Sequence, residues 1–321
     1  MKKFRIVLTD YMYETLQPFY DVYDKEPDVE FVPMQLTSKK DIMRETEFAD
    51  AVMVHFQQLD SDIIGNLKNC KIIARSAVGV DNIDLEAASR AKIPVANVPD
   101  YCIEEVSNHA ILLLLACAKR LNILERTVKE GKWDYSVTKP VHAIRGRTLG
   151  LLGAGNIACC VAKKAQAFGM KVIASDPGLR QEQLEGRGIT LVSQNEMLAQ
   201  SDFVSIHAPL NRHTQRLVNA DFLSRMKRGA ILINTARGGL VDESALYDAI
   251  KNGQLGGAGL DVLTQESISL DDPLLTLENV ILTPHAAWYT EEAMYTLLTS
   301  AAAEVIRGLH GQTPKHQVNR F

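Results

Sequence analysis

Short apolar, β-branched runs recur along nearly the whole chain, separated by stretches with helical spacing. Alternation of this kind marks βα units built round parallel sheets. The runs fall into two sets. The first predicts strands at Ile6–Leu8, Val29–Val32, Ala51–Val54, Ile72–Ala74 and Val95–Asn97. A long helix is then predicted from near Ile103, with Val106, Ala110, Leu113, Leu114 and Cys117 spaced three and four apart on one face. The second set predicts strands at Thr148–Leu152, Lys171–Ala174, Phe203–His207, Ile231–Asn234, Gly259–Val262 and Val280–Leu282. A closing helix is predicted to start at a Thr290 cap, to carry Met294, Leu297, Leu298, Ala301, Val305 and Leu309 on one face, and to end around Gly311 and Pro314. Two such sets joined by helices predict two α/β domains with parallel sheets, and the cleft between them as the ligand site.

Composition narrows the partners rather than the fold. The 321 residues carry 35 Lys and Arg against 39 Asp and Glu, a net charge of −4, with 46% hydrophobic and 23% charged residues. That balance offers no basic excess for nucleic acid or an anionic membrane surface, and leaves a small anionic ligand held by a few local groups. The five cysteines, Cys70, Cys102, Cys117, Cys159 and Cys160, have no C-x-x-C spacing and read as reduced, buried thiols of a cytoplasmic protein. Neighbours on a helix point apart, so Cys159 and Cys160 are not expected to share a metal, and no metal site is expected elsewhere. Lys2 and Lys3 imitate the start of a signal peptide, but the apolar run after them is broken by Arg5 and stops at Asp10, as a first strand would. The longest apolar stretch, ILLLLACA at 111–118, is far short of the roughly 20 residues a bilayer needs.

The segment TLGLLGAGNIACC places Gly153-x-Gly155-x-x-Ala158 directly after a predicted strand and at the start of a helix. The first glycine suits the tight turn, the second lets backbone approach a pyrophosphate, and the third position needs a small residue, here Ala158. The helix start at Asn156 and Ile157 offers N–H groups and a positive dipole end to phosphates. Asp176 follows the next strand, 23 positions after Gly153, where a carboxylate would accept from the adenosine ribose hydroxyls and repel a 2′-phosphate. The expected cofactor is NAD rather than NADP.

Three polar clusters then follow at predicted strand ends: INTARGGLVDESAL with Arg237, GLDVLTQES with Asp261 and Glu266, and LTPHAAWYT with His285. Together with VGVDNIDLEAA at 78–88 and NVPDYCIEEVSNHAILLLLACAKRL at 97–121, they resemble the D-isomer-specific 2-hydroxyacid dehydrogenase family from about Ile72 to about Ile306. MVHFQQL, KIIARSAVGVDNID and TPHAAWYTEEA are most similar to its C-terminal-binding-protein branch and the bacterial dehydrogenases related to that branch. The resemblance implies two Rossmann-like or flavodoxin-like domains. A discontinuous substrate domain would comprise residues 1–101 plus 290–321, and an NAD-binding domain residues 102–289.

It also implies roles. His285 would exchange a proton with the C2 oxygen of a small 2-oxo or D-2-hydroxy acid, held by Glu266, while Arg237 binds the substrate carboxylate and polarises C2. His207, Ala208, Pro209, Thr214, Thr235, Ala236, Arg237, Asp261 and His285 would line the cofactor, with Asp261 on the nicotinamide carboxamide. Backbone N–H groups of Val78 and Gly79, with His55 and Arg75, would reach the substrate, and Trp288 would close the apolar side of the pocket. The helix at 103–121 and the segment 133–144 would form a homodimer interface. Asn108 replaces the family's usual acidic residue before His109, and Thr264 and Ser267 replace the usual aromatic and proline around Glu266. Residues after Ala51 lack the Arg-Ser-Thr cluster of phosphoglycerate-using relatives, and no regulatory domain is expected after the last helix. The competing expectation is an NAD(H)-gated peptide-binding scaffold like the corepressors of that branch, against which the absence of a recruitment tail argues.

Overall fold

The computed structural model describes Lys3–Phe321; Lys2, the other half of the basic pair ahead of the first strand, lies outside the described residues. The chain divides into two compact units, one running up to Cys102 and resuming at Thr290–Phe321, the other Ile103–Tyr289.

In the first unit β1 (Phe4–Leu8), β2 (Val29–Pro33), β3 (Ala51–Val54), β4 (Ile72–Arg75) and β5 (Val95–Ala96) form a parallel sheet in the order β2-β1-β3-β4-β5. The central strands are covered on both faces, which is why they read as unbroken apolar runs instead of alternating ones. The helix Glu291–Leu309 belongs to this unit: Thr290 Oγ1 caps it by accepting from Ala293 N at 3.0 Å, and Leu297, Leu298, Ala301, Val305 and Leu309 are buried. Gly308 brings that helix onto β4, since a Cβ there would stand 2.6 Å from Ile72 Cβ. The chain end covers the β5 edge, with Asn319 Oδ1 accepting from Val95 N at 2.8 Å and Val318 N donating to Val95 O at 2.9 Å.

The second unit holds seven parallel strands: β6 (Thr148–Leu152), β7 (Lys171–Ser175), β8 (Ile189–Leu191), β9 (Phe203–Ile206), β10 (Ala230–Asn234), β11 (Leu255–Leu260) and β12 (Val280–Leu282), ordered β12-β11-β10-β9-β6-β7-β8. Leu149, Leu151 and Ile233 pack with Leu113, Leu114, Val161 and Ala165 from helices on one face. Leu152, Val204, Ile206 and Leu232 pack with Met197, Phe222 and Leu246 on the other. Two sequence expectations are corrected here. Strand β8 was not expected, and β11 begins at Leu255 rather than Gly259.

The five cysteines form no disulfide. Cys102 and Cys117 are buried as expected, and burial pushes the Cys117 thiol up to about 12. Cys70, Cys159 and Cys160 are only half-buried. Cys160 faces outward on the helix Asn156–Ala167, with its Sγ 3.2 Å from Glu104 Oε1 and 3.4 Å from Lys164 Nζ. No helix among the described residues is long and apolar enough to cross a membrane. One group of three potential metal ligands does come together, Glu26, Asp28 and His310 on the first unit, with ligand atoms within 4.8 Å of one another.

Candidate active site

Strand order reverses between β6 and β9 in the second sheet, the place where open α/β sheets receive ligands. The glycine turn leaves β6 there. Gly153 has φ +93°, and a Cβ on it would lie 2.7 Å from the His207 carbonyl oxygen after β9, so both the conformation and the close approach require glycine. A Cβ on Gly155 would meet nothing within 4 Å, and no side chain caps the helix that starts at Asn156. An open space over uncapped N–H groups suits a pyrophosphate. Ala158 is buried against the sheet, as a small third position must be. Asp176 Oδ2 accepts from Ala154 N and Oδ1 from Gly178 N, both at 2.9 Å, so this carboxylate also pins the glycine turn.

The loop after β10 is shaped by Asn234, whose Oδ1 accepts from Ala236 N at 3.0 Å while Nδ2 donates to Arg237 O at 2.9 Å. Thr235 Oγ1 is buried with no hydrogen-bond partner, an unusual state for a hydroxyl and one that a bound polar ligand would relieve. Arg237 Nη1 donates to Ala236 O at 2.8 Å. At Gly238 a Cβ would fall 1.9 Å from the Leu263 carbonyl carbon and 2.4 Å from Thr264 N. The Arg237 backbone is therefore laid directly on the loop that leads to Glu266.

His285 Nδ1 is 2.6 Å from Glu266 Oε1. A carboxylate only accepts, so Nδ1 carries the proton and Nε2 is the nitrogen left for exchange. His285 is 32% and Glu266 44% exposed at the side chain. The backbone of His285 is left-handed, φ 52°, an uncommon state for a non-glycine residue. Asp261 holds it: its main-chain oxygen accepts from His285 N at 2.8 Å, Oδ1 from Ala286 N at 3.0 Å and Oδ2 from Ala287 N at 2.9 Å. Thr283 Oγ1 donates to Asp261 Oδ1 at 2.5 Å, and His109 Nε2 stands 2.9 Å from that hydroxyl. Expected beside the nicotinamide, the Asp261 side chain is fully enclosed and satisfied by this turn. Sequence reasoning missed this job, and gave His109 no role, because the partner Thr283 lies 174 residues away. Trp288 is half-buried with its ring edge-on to Tyr289, centroids 5.6 Å apart.

His207 Nε2 bonds Ser205 Oγ at 2.9 Å, and burial lowers its pKa from 6.5 to about 4. The folded state thus prefers the neutral ring, while an unfolded chain takes a proton near 6.5. Stability from this residue is intact above pH 6.5 and lost as pH falls towards 4, up to about 3 kcal/mol. An NMR titration is expected to show a His207 midpoint near 4; a midpoint at 6.5 would contradict it. Thr214 Oγ1 closes its own loop, donating to Pro209 O at 2.6 Å and accepting from Asn211 N at 2.8 Å.

The first sheet reverses order between β1 and β3, and the residues after those two strands meet. Asp10 accepts through Oδ1 from His55 N at 3.1 Å, and through Oδ2 from Phe56 N at 2.6 Å and Gln57 N at 3.3 Å. His55 Nδ1 lies 2.8 Å from Tyr13 Oη and 3.0 Å from Ser76 O. Arg75 donates from Nε to His55 O at 3.1 Å and from Nη1 to Asp81 Oδ1 at 3.2 Å. His55 and Arg75, each 7% exposed, are thus built into one buried network. Val78 and Gly79 lie in the half-buried loop beyond Ser76, with Asn97 Nδ2 donating to Val78 O at 2.6 Å.

Comparison with known proteins agrees with this geometry. The family described as D-isomer specific 2-hydroxyacid dehydrogenase, NAD binding domain, matches residues 111–287. A glyoxylate reductase of Korarchaeum cryptofilum is 39% identical over 287 residues, covering 88% of this chain and 86% of that one. A D-3-phosphoglycerate dehydrogenase of Archaeoglobus fulgidus is 40% identical over 283 residues, but the chain spans only 54% of its length. Among solved structures, a D-lactate dehydrogenase of Aquifex aeolicus complexed with NAD and lactic acid is 31% identical, with a TM-score of 0.87 over 95% of this chain and 96% of that one. With a glycine turn, an enclosed aspartate and a His–Glu pair at the ends of one parallel sheet, the chain belongs to the D-isomer specific 2-hydroxyacid dehydrogenase family, and residues 111–287 are its NAD binding domain.

Proposed function

We infer that the protein reduces small 2-oxo acids to D-2-hydroxy acids with NADH. The observation that carries this reading is the His285–Glu266 pair at 2.6 Å, braced through Gly238 to the loop that bears Arg237. NADH, when bound, supplies the hydride to C2. Arg237 holds the substrate carboxylate and draws charge towards the C2 oxygen, a planar fork matched to adjacent oxygens. His285 delivers the proton from Nε2 to that oxygen while Glu266 keeps Nδ1–H occupied. The reverse reaction returns the proton to Nε2. Val78 and Gly79 N–H groups, His55 and Arg75 serve the substrate, and Trp288 supplies an apolar wall. Asn156 and Ile157 N–H groups hold the pyrophosphate, Asp176 the ribose and Thr235 Oγ1 the cofactor's polar end. The carboxylate of Asp176 favours NADH over NADPH. The homologous relatives named above support the substrate class, and cysteines without disulfides suit the cytoplasm.

The test is oxidation of NADH and NADPH, side by side, with glyoxylate, pyruvate, hydroxypyruvate and phosphohydroxypyruvate. Turnover with an unphosphorylated acid and NADH is expected. No turnover with any member would sink the reading and favour the scaffold. A homodimer is also part of it: Leu112, Leu121, Val128, Trp133, Tyr135 and Val137 are exposed, Trp133 by 93%, all within residues 103–144. Light scattering is expected to give twice the 35.5 kDa chain mass, and Trp133→Glu to shift it towards the monomer.

A further inference from the structure

The polar chain behind His285 begins on a residue that the proposed chemistry leaves unused. His109 lies in the helix Ile103–Lys119 with its side chain 16% exposed, and Nε2 is 2.9 Å from Thr283 Oγ1 and 3.4 Å from Asp261 Oδ1. The protons can be assigned. Thr283 has one hydroxyl proton, and the Asp261 oxygen 2.5 Å away only accepts, so that proton goes to Asp261. Thr283 Oγ1 must then accept from His109, whose Nε2 carries a hydrogen. Asp261 passes the constraint on, taking the N–H groups of His285, Ala286 and Ala287. What is held at the end is a left-handed histidine, a conformation that persists only where its surroundings over-determine it.

We propose that His109 is a positioning residue for the acid–base histidine. Its Nε2–H orients the Thr283 hydroxyl, which fixes the Asp261 carboxylate under residues 285–287 and keeps the His285 ring aligned with Glu266. The proposal rests on His285 being the acid–base group. A purely space-filling role would be met by any side chain of similar size, and the two differ in a single donor.

His109→Gln retains an N–H near the Nε2 position, whereas His109→Leu fills the space without one. In the full-length enzyme with NADH and a 2-oxo acid, His109→Leu is expected to lower kcat about 10- to 100-fold, with KM for NADH changed less than twofold. His109→Gln is expected to stay within about threefold of wild type. Thr283→Val should match the loss, and the double variant His109→Leu/Thr283→Val should be no worse than either alone, because both cut one chain. Equal behaviour of the Leu and Gln variants, or additive losses, overturns the proposal. A second readout does not depend on turnover: the His285 Nδ1 proton bonded to Glu266 should give a downfield imidazole resonance that survives in His109→Gln and disappears in His109→Leu. Its persistence in His109→Leu overturns the proposal even if no 2-oxo acid is reduced, whereas absent turnover with an intact resonance pattern overturns only the assigned reaction.

Discussion

His285→Asn is expected to lower kcat for 2-oxo acid reduction about a thousandfold while the dissociation constant for NADH stays within about twofold. Asparagine tolerates the left-handed backbone at φ 52°, so the turn over Asp261 survives the change. What is lost is the ring nitrogen assigned to exchange the proton with the C2 oxygen, worth about 10²–10⁴ in rate. The elements proposed to hold the nucleotide, Gly153 to Asp176, form a separate stretch of chain, where Asp176 accepts from the N–H groups of Ala154 and Gly178. Cofactor binding, read by quenching of protein fluorescence, therefore reports whether that stretch is intact. Rates within tenfold of wild type would show that another group moves the proton.

Gly238→Ala should be the most damaging single-atom addition in the second unit. Its Cβ would sit 1.9 Å from the Leu263 carbonyl carbon and 2.1 Å from the Leu263 oxygen, both backbone atoms that no rotamer change can move aside. Separating the two loops is expected to destabilise the unit by about 3 kcal/mol or more. It also shifts Arg237 and the approach to Glu266 together, so kcat/KM should fall further than the loss of folded protein explains. Gly155→Ala is the control. Its Cβ meets nothing within 4 Å, so thermal stability should hold while NADH binding weakens, because the methyl group occupies the space above the helix start.

The buried strands were legible because a sheet covered on both faces needs unbroken apolar runs, as at Ala51–Val54 and Phe203–Ile206. β8 escaped because it is three residues long at a sheet edge and buries only Ile189 fully. β11 was misplaced because Gly256, Gly257 and Gly259 interrupt its pattern. The first has its reason in space: a Cβ on Gly256 would lie 2.4 Å from Gly229 O, beside the register shift that follows Ala230. Candidate chemistry was legible where a motif is continuous, as around Gly153 and His285. It was not legible where partners come from distant strands, so the Asp10 carboxylate beneath residues 55–57 and the His109–Thr283–Asp261 chain emerged only once the sheets were assembled. The double duty of Asp176 likewise depends on a bond back to Ala154.

The arrangement of Asp10 bears on how the segment proposed to meet the substrate can be altered. Its carboxylate takes three consecutive amides of the segment that follows β3, so the path of residues 56 and 57 is set by backbone bonds to a side chain just beyond β1 rather than by their own side chains. Phe56 is 47% exposed and Gln57 half-buried, and neither donates its side chain to that anchorage. The loop is therefore a platform whose surface can be varied without redrawing its course. A library randomised at positions 56 and 57 should retain the fold in most members, whereas one that includes position 10 should not.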